Sequence, residues 1–290
     1  MLSIIICSVS PDFRKQVVEN LAQTVGCEHE FIIFDNREPR YGLCKVYNRC
    51  AQKAKYPYLC FAHEDILIAT KDWGRKLISH IENDSAIGAI GVAGIGFVSE
   101  RRKPSTPRAA AFFRVKHIDK RTGRRADIWR PKGKEGLFRV ATIDGQFILT
   151  TKKVWREFPF DEARFTHFHL YDLDFSMQVG TRYKVMASTE LDITHFSFGT
   201  YNETHREFYL KFIEKWQHRL PLLQMPEHTS TTDVVKIFTH DILNHIRDGN
   251  YEFAKRSFTH LQQKTARPFW RLALQCLALT PNVLLSTLRY

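Results

Sequence analysis

Three aspartates in this 290-residue chain stand where a carboxylate can be put to work. Asp35 follows the apolar run Glu30–Phe34 (EFIIF), and Asp65 ends His63-Glu64-Asp65 after Tyr58–Ala62 (YLCFA). Asp172 is paired with Asp174 in Tyr171-Asp172-Leu173-Asp174. A carboxylate at the tip of a buried strand offers hard oxygen ligands to Mg²⁺ or Mn²⁺ facing the charge of a diphosphate. One beside an incoming hydroxyl can accept its proton as a general base. His195 closes Leu191–His195, and a neutral imidazole suits a metal or a phosphate oxygen. Each residue also has a plain structural use. Glu64 and Asp65 can begin a helix, and one of Asp172 and Asp174 can cap the helix expected near Phe175.

The elements around these residues explain why their positions matter. Ser3–Cys7 (SIIIC) is a short β-branched run, the mark of a strand buried on both faces. A helix follows, with Asp12 as its cap, Phe13, Val17, Leu21 and Val25 recurring every fourth residue, and Gly26 as its stop. Glu30–Phe34, Tyr58–Ala62 and Ala86–Ala93 read as further strands, separated by helices over Tyr41–Lys55 and Trp73–Ile81. This alternation implies a mainly parallel α/β sheet with helices on both faces. Ligands of such sheets bind beyond the carboxyl ends of the strands. That rule singles out Ser8, Asp35-Asn36 and His63-Glu64-Asp65, one polar group per strand end.

Residues 97–140 read as an irregular, basic, turn-rich excursion, and Thr142–Thr151 as a strand entered through Asp144-Gly145. Tyr183–Met186 and Leu191–His195 read as short strands, the latter edge-like. From about Pro226 the pattern turns helical, with Asp233–Arg247 and Tyr251–Lys264 as an antiparallel pair. The expected division is a catalytic unit over 1–225 and a helical unit over 226–290. Phe269–Leu288 is apolar but holds Arg271, Gln275 and Pro281, which suits an interface-lying or packed helix better than a membrane span.

Composition is that of a globular protein, 43% hydrophobic and 26% charged, so wholesale disorder is excluded. The net charge of +12 is concentrated: residues 100–139 hold 14 Lys/Arg against four Asp/Glu. Such a segment suits nucleic acid, anionic lipid headgroups or a phosphorylated substrate. Six cysteines show neither CxxC pairs nor framework spacing, which argues for a reducing compartment and against a disulfide scaffold. The opening residues lack a basic n-region, and a cytoplasmic location, peripheral at the inner membrane, is the expectation.

Taken together, the blocks SIIICSVS, FIIFDN, YGLCKVYNRCAQKAKYPYLCFAHED, IDGQFILTTKKVW with FDE, and HFHLYDLDFSMQV with DITHFSFG resemble the family 2 glycosyltransferases of the GT-A fold, in particular their short bacterial branch. The likeness spans roughly residues 1–200. It implies a Rossmann-like catalytic sheet and inverting transfer of a sugar from a nucleotide donor to a hydroxyl of a glycan or glycolipid. Surface polysaccharide or lipooligosaccharide synthesis is the implied setting. By resemblance Asp35 contacts the base, and Ser8, Asn36, His63 and Glu64 complete the nucleotide-binding set. Asp65 falls on the last carboxylate of the DxD pattern and, with His195, holds Mn²⁺ or Mg²⁺. Asp172 matches the general base, with Asp174 as second choice. Two positions depart from the pattern: His63 replaces the first DxD carboxylate, and Tyr171 replaces the Glu that leads the acidic pair.

Other readings compete. A nucleic-acid-binding protein would explain the basic segment, but no recognition helix or RNP motif accompanies it, so nucleic acid is not the expected partner. An anionic acceptor or membrane face accounts for the same charge. The glycine-rich phosphate loop of a sugar nucleotidyltransferase is absent from Ser8–Arg14. A non-catalytic relative that binds a nucleotide sugar is the remaining alternative.

Overall fold

The computed structural model describes residues 1–101, 107–120, 122–199 and 202–265. Its first half runs β1 (Leu2–Ser8), α1 (Pro11–Thr24), β2 (His29–Asp35), α2 (Leu43–Lys53), β3 (Tyr58–His63), β4 (Ile66–Ile68), α3 (Trp73–Asn83), β5 (Ile87–Gly91), β6 (Ala93–Ile95) and β7 (Phe97–Val98). It continues through β8 (Ala111–Ile118), β9 (Arg125–Arg130), β10 (Leu137–Val140), β11 (Thr142–Ile143), β12 (Phe147–Thr151), α4 (Lys152–Glu157), α5 (Tyr171–Val179), β13 (Lys184–Ser188) and β14 (Ile193–His195). The described chain ends with α6 (Glu203–Trp216), β15 (Leu222–Leu223), α7 (Thr231–Arg247) and α8 (Tyr251–Thr265).

The main sheet has the order β10-β13-β5-β12-β3-β1-β2. β1, β2, β3, β5 and β13 run one way, while β10 and β12 run against them. Burial on both faces explains the continuous apolar strands. In β1, Ile5 packs into the core shared with α2, α5 and α6, whereas Leu2, Ile4 and Ile6 pack into the core shared with α1 and α3. The period of two within one strand therefore serves two helical layers. Helices flank both faces, as the alternation of elements requires.

A second sheet of order β11-β6-β8-β14-β4, with β9 added alongside β8, leans on the carboxyl end of the first. Its strands carry the corrections to the sequence reading. The segment 97–140 is not an irregular excursion: β8 and β9 form a hairpin paired from Phe113↔Arg130 to Ile118↔Arg125. Its cations line the strands instead of ending them, with Arg114 stacked over Trp129 and Arg130 over Phe113. Basic residues hide a strand from composition-based reading because their apolar stems can lie along neighbouring rings. Thr142–Thr151 is broken at Asp144–Gln146 into β11 and β12, which belong to different sheets. β14 is no edge, since β8 flanks one side and β4 the other. The cap of α1 is Ser10, whose hydroxyl accepts from the Phe13 amide, and Asp12 lies in the first turn.

Helices α7 and α8 pack against Phe97 and Ala110 through Val235, Ile237, Phe238 and Leu261. Ser99 and Ser257 both donate to the buried Asp241 carboxylate, at 2.6 Å each, which ties α7 to α8 and to the chain after β7. Among the described residues no helix is long and apolar enough to cross a membrane. The segment Phe269–Leu288 lies outside the described residues.

The approach to α5 is held by one buried amide. Asn48 on α2 donates to the Phe160 carbonyl at 2.8 Å and accepts from the Phe160 amide and the Trp155 indole, both at 3.1 Å. Asn48→Ala leaves three buried polar groups without partners, so it should cost about 3 kcal/mol. Urea unfolding checks this: the midpoint should fall with little change in slope, and an unchanged midpoint would mean the loop is held from elsewhere.

Candidate functional site

The strand ends converge as the topology demands. Ser8 lies opposite Asp35 in the β1–β2 ladder, and Cys7 lies opposite His63 in the β1–β3 ladder. Beyond them opens a cleft of about 960 Å³ lined by Asn36, His63, Glu64, Asp65, Asp172 and His195 among others. The second sheet brings His195 there: β14 pairs antiparallel with β4 so that His195 meets Ile66, and the Phe196 amide donates to the Asp65 carbonyl at 2.9 Å. Two residues 130 positions apart in sequence thus become neighbours.

Asp65 is the centre of this group. One of its oxygens lies 3.4 Å from His195 Nε2 and 3.9 Å from His63 Nδ1. The candidate ligand atoms of His63, Asp65 and His195 all lie within 4.8 Å of one another. Burial opposes charge on Asp65, but the two imidazoles outweigh it and hold its pKa below the ordinary carboxylate value. Burial likewise disfavours protonated His63 and lowers its pKa. For His195 the pull of Asp65 exceeds the cost of burial, and its pKa is raised. The set fits a divalent cation, with one carboxylate and two imidazoles converging and His195 Nδ1 buried without a protein partner.

Asp172 sits in the first turn of α5 and accepts from the Gly145 amide at 2.8 Å. Burial, then the nearby charge of Asp144, pushes its pKa up to about 7. Gly145 is required here, because a Cβ would lie 2.0 Å from the Tyr171 hydroxyl. Asp172 therefore shares the cleft with the His63–Asp65–His195 group and can take a proton near neutrality.

The other expected residues are placed differently. Asp174 is 1% exposed and faces the core side, bound by Lys215 at 2.8 Å and by the Trp216 indole at 2.8 Å. It ties α5 to α6 and does not reach the cleft. Glu64 accepts from the Ser8 hydroxyl at 2.7 Å and from the Val9 and Ser10 amides, so both it and Ser8 hold the loop entering α1. Asn36 brackets the turn to Tyr41 with two 2.8 Å bonds. Asp35 is not among the residues that line the cleft: Arg37 and Arg14 clasp it, and these contacts hold its pKa far below the ordinary carboxylate value.

Several lining residues escaped the sequence reading. Arg37, Arg40 and Tyr41 line the cleft on the β2 side, and Phe168 presents a ring that is 54% exposed. Asp144 faces the same space, although in the sequence it read only as the entry to a strand. The short turns Asn36-Arg37 and Thr166–Leu170 were the available signal, because loops at strand ends carry binding groups.

The raised pKa of Asp172 has a stability consequence. The folded chain holds its proton up to about pH 7 while the unfolded chain releases it near pH 4, so this group destabilises the fold as pH rises through that window. Asp172→Asn removes the penalty. Its melting temperature relative to the unmodified chain should therefore rise between pH 5 and pH 8 in thermal denaturation, and a parallel pair of curves would contradict the assignment.

Comparison with known proteins bears on the fold and the family. The chain is similar in structure to GalNAc-T7 solved with UDP, GalNAc and Mn²⁺, with a TM-score of 0.52 and 10% identity, covering 97% of this chain and 57% of that one. It thus spans little more than half the length of that relative. Weaker likenesses are found to S. aureus TarS 1-349, with TM-score 0.47, 12% identity and 92% of each chain covered, and to A197 from STIV, with TM-score 0.41, 14% identity and 68% and 85% covered. A search of curated proteins found no match. The model of the glycosyltransferase like family matches residues 3–209, most of the chain. A mainly parallel sheet with the cleft at its carboxyl edge, and a family match across it, make this chain a GT-A member of the glycosyltransferase-like family.

Proposed function

We propose that the protein transfers a sugar from a nucleoside-diphosphate donor to a hydroxyl of a glycan or glycolipid, with inversion. The observation that carries this reading is the convergence of Asp65, His63, His195 and Asp172 on one cleft. In this reading the nucleotide lies toward the β1 and β2 ends, where Arg37, Arg40 and Tyr41 line the wall and Asp35 pairs with Arg37. Ser8, Asn36 and Glu64 support it indirectly, by fixing the loops that form the pocket.

Asp172 serves as the base. The acceptor oxygen attacks the anomeric carbon as its proton passes to the Asp172 carboxylate, and the bond from that carbon to the diphosphate breaks with its electron pair leaving on the nucleoside diphosphate. His63, Asp65 and His195 would hold a divalent ion, Mn²⁺ in preference to Mg²⁺. When bound, such an ion supplies charge to offset the departing diphosphate. The solved relative containing UDP and Mn²⁺ supports this choice. Proximity in the cleft and fixed charge would account for most of the rate enhancement. Phe168 offers an apolar face to a sugar ring. The cations of the β8–β9 hairpin favour an anionic acceptor or the face of an anionic membrane, consistent with cytoplasmic surface-polysaccharide synthesis.

Screening UDP-, GDP- and dTDP-sugars with Mn²⁺ by thermal shift, then by release of nucleoside diphosphate, tests the reading. One donor should stabilise the protein and be turned over, and Asp172→Asn should lower kcat by about 10²- to 10⁴-fold. Binding without turnover would instead indicate a non-catalytic sugar-nucleotide binder. The base must be ionised to act, so kcat should rise with pH through an ionisation near 7. Asp144→Asn removes the neighbouring negative charge and should move that limb to lower pH. A limb that stays in place would separate Asp144 from the base.

A further inference from the structure

The two positions at which the chain departs from the pattern it resembles are in contact. His63 Nε2 lies 2.8 Å from the Tyr171 hydroxyl oxygen, and that hydroxyl donates to the Gly145 carbonyl at 2.9 Å. The phenol carries a single hydrogen, and in this arrangement it is given to the Gly145 carbonyl, which can only accept. Toward His63 the phenol oxygen must then accept, and the hydrogen of the neutral ring is drawn to Nε2. His63 Nδ1 is left with a lone pair, and it faces Asp65 at 3.9 Å. Two acceptors facing each other cannot hydrogen-bond, and a cation between them satisfies both.

We propose that Tyr171 is a positioning residue that fixes His63 as the Nε2–H tautomer and so makes His63 Nδ1 a metal ligand beside Asp65 and His195. This rests on the metal role given to those three residues above. The packing confines the phenol closely. Gly145 leaves room for the hydroxyl where any side chain would collide with it. The Tyr171 ring packs edge-on to Tyr47, and Phe168 lies over His63 at 5.6 Å between centroids. A ligating imidazole is ordinarily held through its second nitrogen by a fixed acceptor, and loss of that acceptor weakens the metal by about 10- to 100-fold. The result is a site with two neutral imidazoles and one carboxylate, which suits Mn²⁺ better than the harder Mg²⁺.

The test is direct titration of the full-length, metal-free protein with Mn²⁺, following free Mn²⁺ by its electron paramagnetic resonance signal. Tyr171→Phe keeps the ring and deletes the hydroxyl, and it should weaken Mn²⁺ by about 10-fold or more. Equal affinity in the variant and the unmodified protein overturns the inference while leaving the metal reading intact. Absence of Mn²⁺ binding to the unmodified protein, or binding that survives His195→Ala unchanged, overturns the metal reading and this inference with it. A second measurement does not depend on the variant folding. Nitrogen-15 shifts of labelled histidine in the unmodified, metal-free protein should show His63 protonated at Nε2, and a ring protonated at Nδ1 overturns the inference.

Discussion

The antiparallel pairing of β14 with β4 is the constraint on which the site depends. It fixes His195 opposite Ile66, one residue beyond Asp65, and the Phe196 amide bond to the Asp65 carbonyl closes the ladder at that point. A one-residue slip would turn the His195 side chain to the opposite face of the sheet. Asp65 would then keep its burial and lose an imidazole that offsets it, and a buried carboxylate without a partner is costly. The second sheet therefore holds a charged residue and its neutralising partners in one register.

Polar residues at the strand ends divide into those that hold the cleft's shape and those left open to a ligand. Glu64 occupies the amides entering α1, where the positive end of the helix favours a carboxylate. Asn36 closes its own turn with both ends of its amide, and Asp174 binds α5 to α6 through Lys215 and Trp216. These groups are satisfied by protein. His195 Nδ1 and the Gln146 side-chain oxygen are buried without partners, and both belong to the neighbourhood of the cleft. Buried atoms without hydrogen-bond partners also occur on Glu100, Arg101 and His245, apart from the cleft, so an unmet bond by itself does not mark the site.

The positive charge has a comparable order. Lys120 lies over both Phe13 and Phe196, and Arg124 lies over Phe198, so the hairpin's cations are pinned along aromatic rings flanking the cleft. Phe13 lines the cleft itself. A cation held on an aromatic face is fixed in position, which presents a fixed field to an approaching anion.

Much of this was legible in the chain. The β-branched runs of β1 and β3 and the four-residue periodicity of α1 follow from burial, and burial is local enough to be read from the pattern of residue types. The carboxyl-end rule then pointed to residues 8, 35, 63 and 65 without any coordinates. What the pattern could not decide was which of those polar side chains would be consumed. Glu64 and Asp65 are adjacent and chemically alike, yet one binds amides 55 residues earlier and the other meets a histidine 130 residues later. Asp172 and Asp174 are nearly as close in sequence, but the two-residue step along the helical turn sends one to the cleft and one to the core. Long-range strand pairing and the direction of a side chain on its helix decide such outcomes, and neither is encoded in the residue's immediate neighbours.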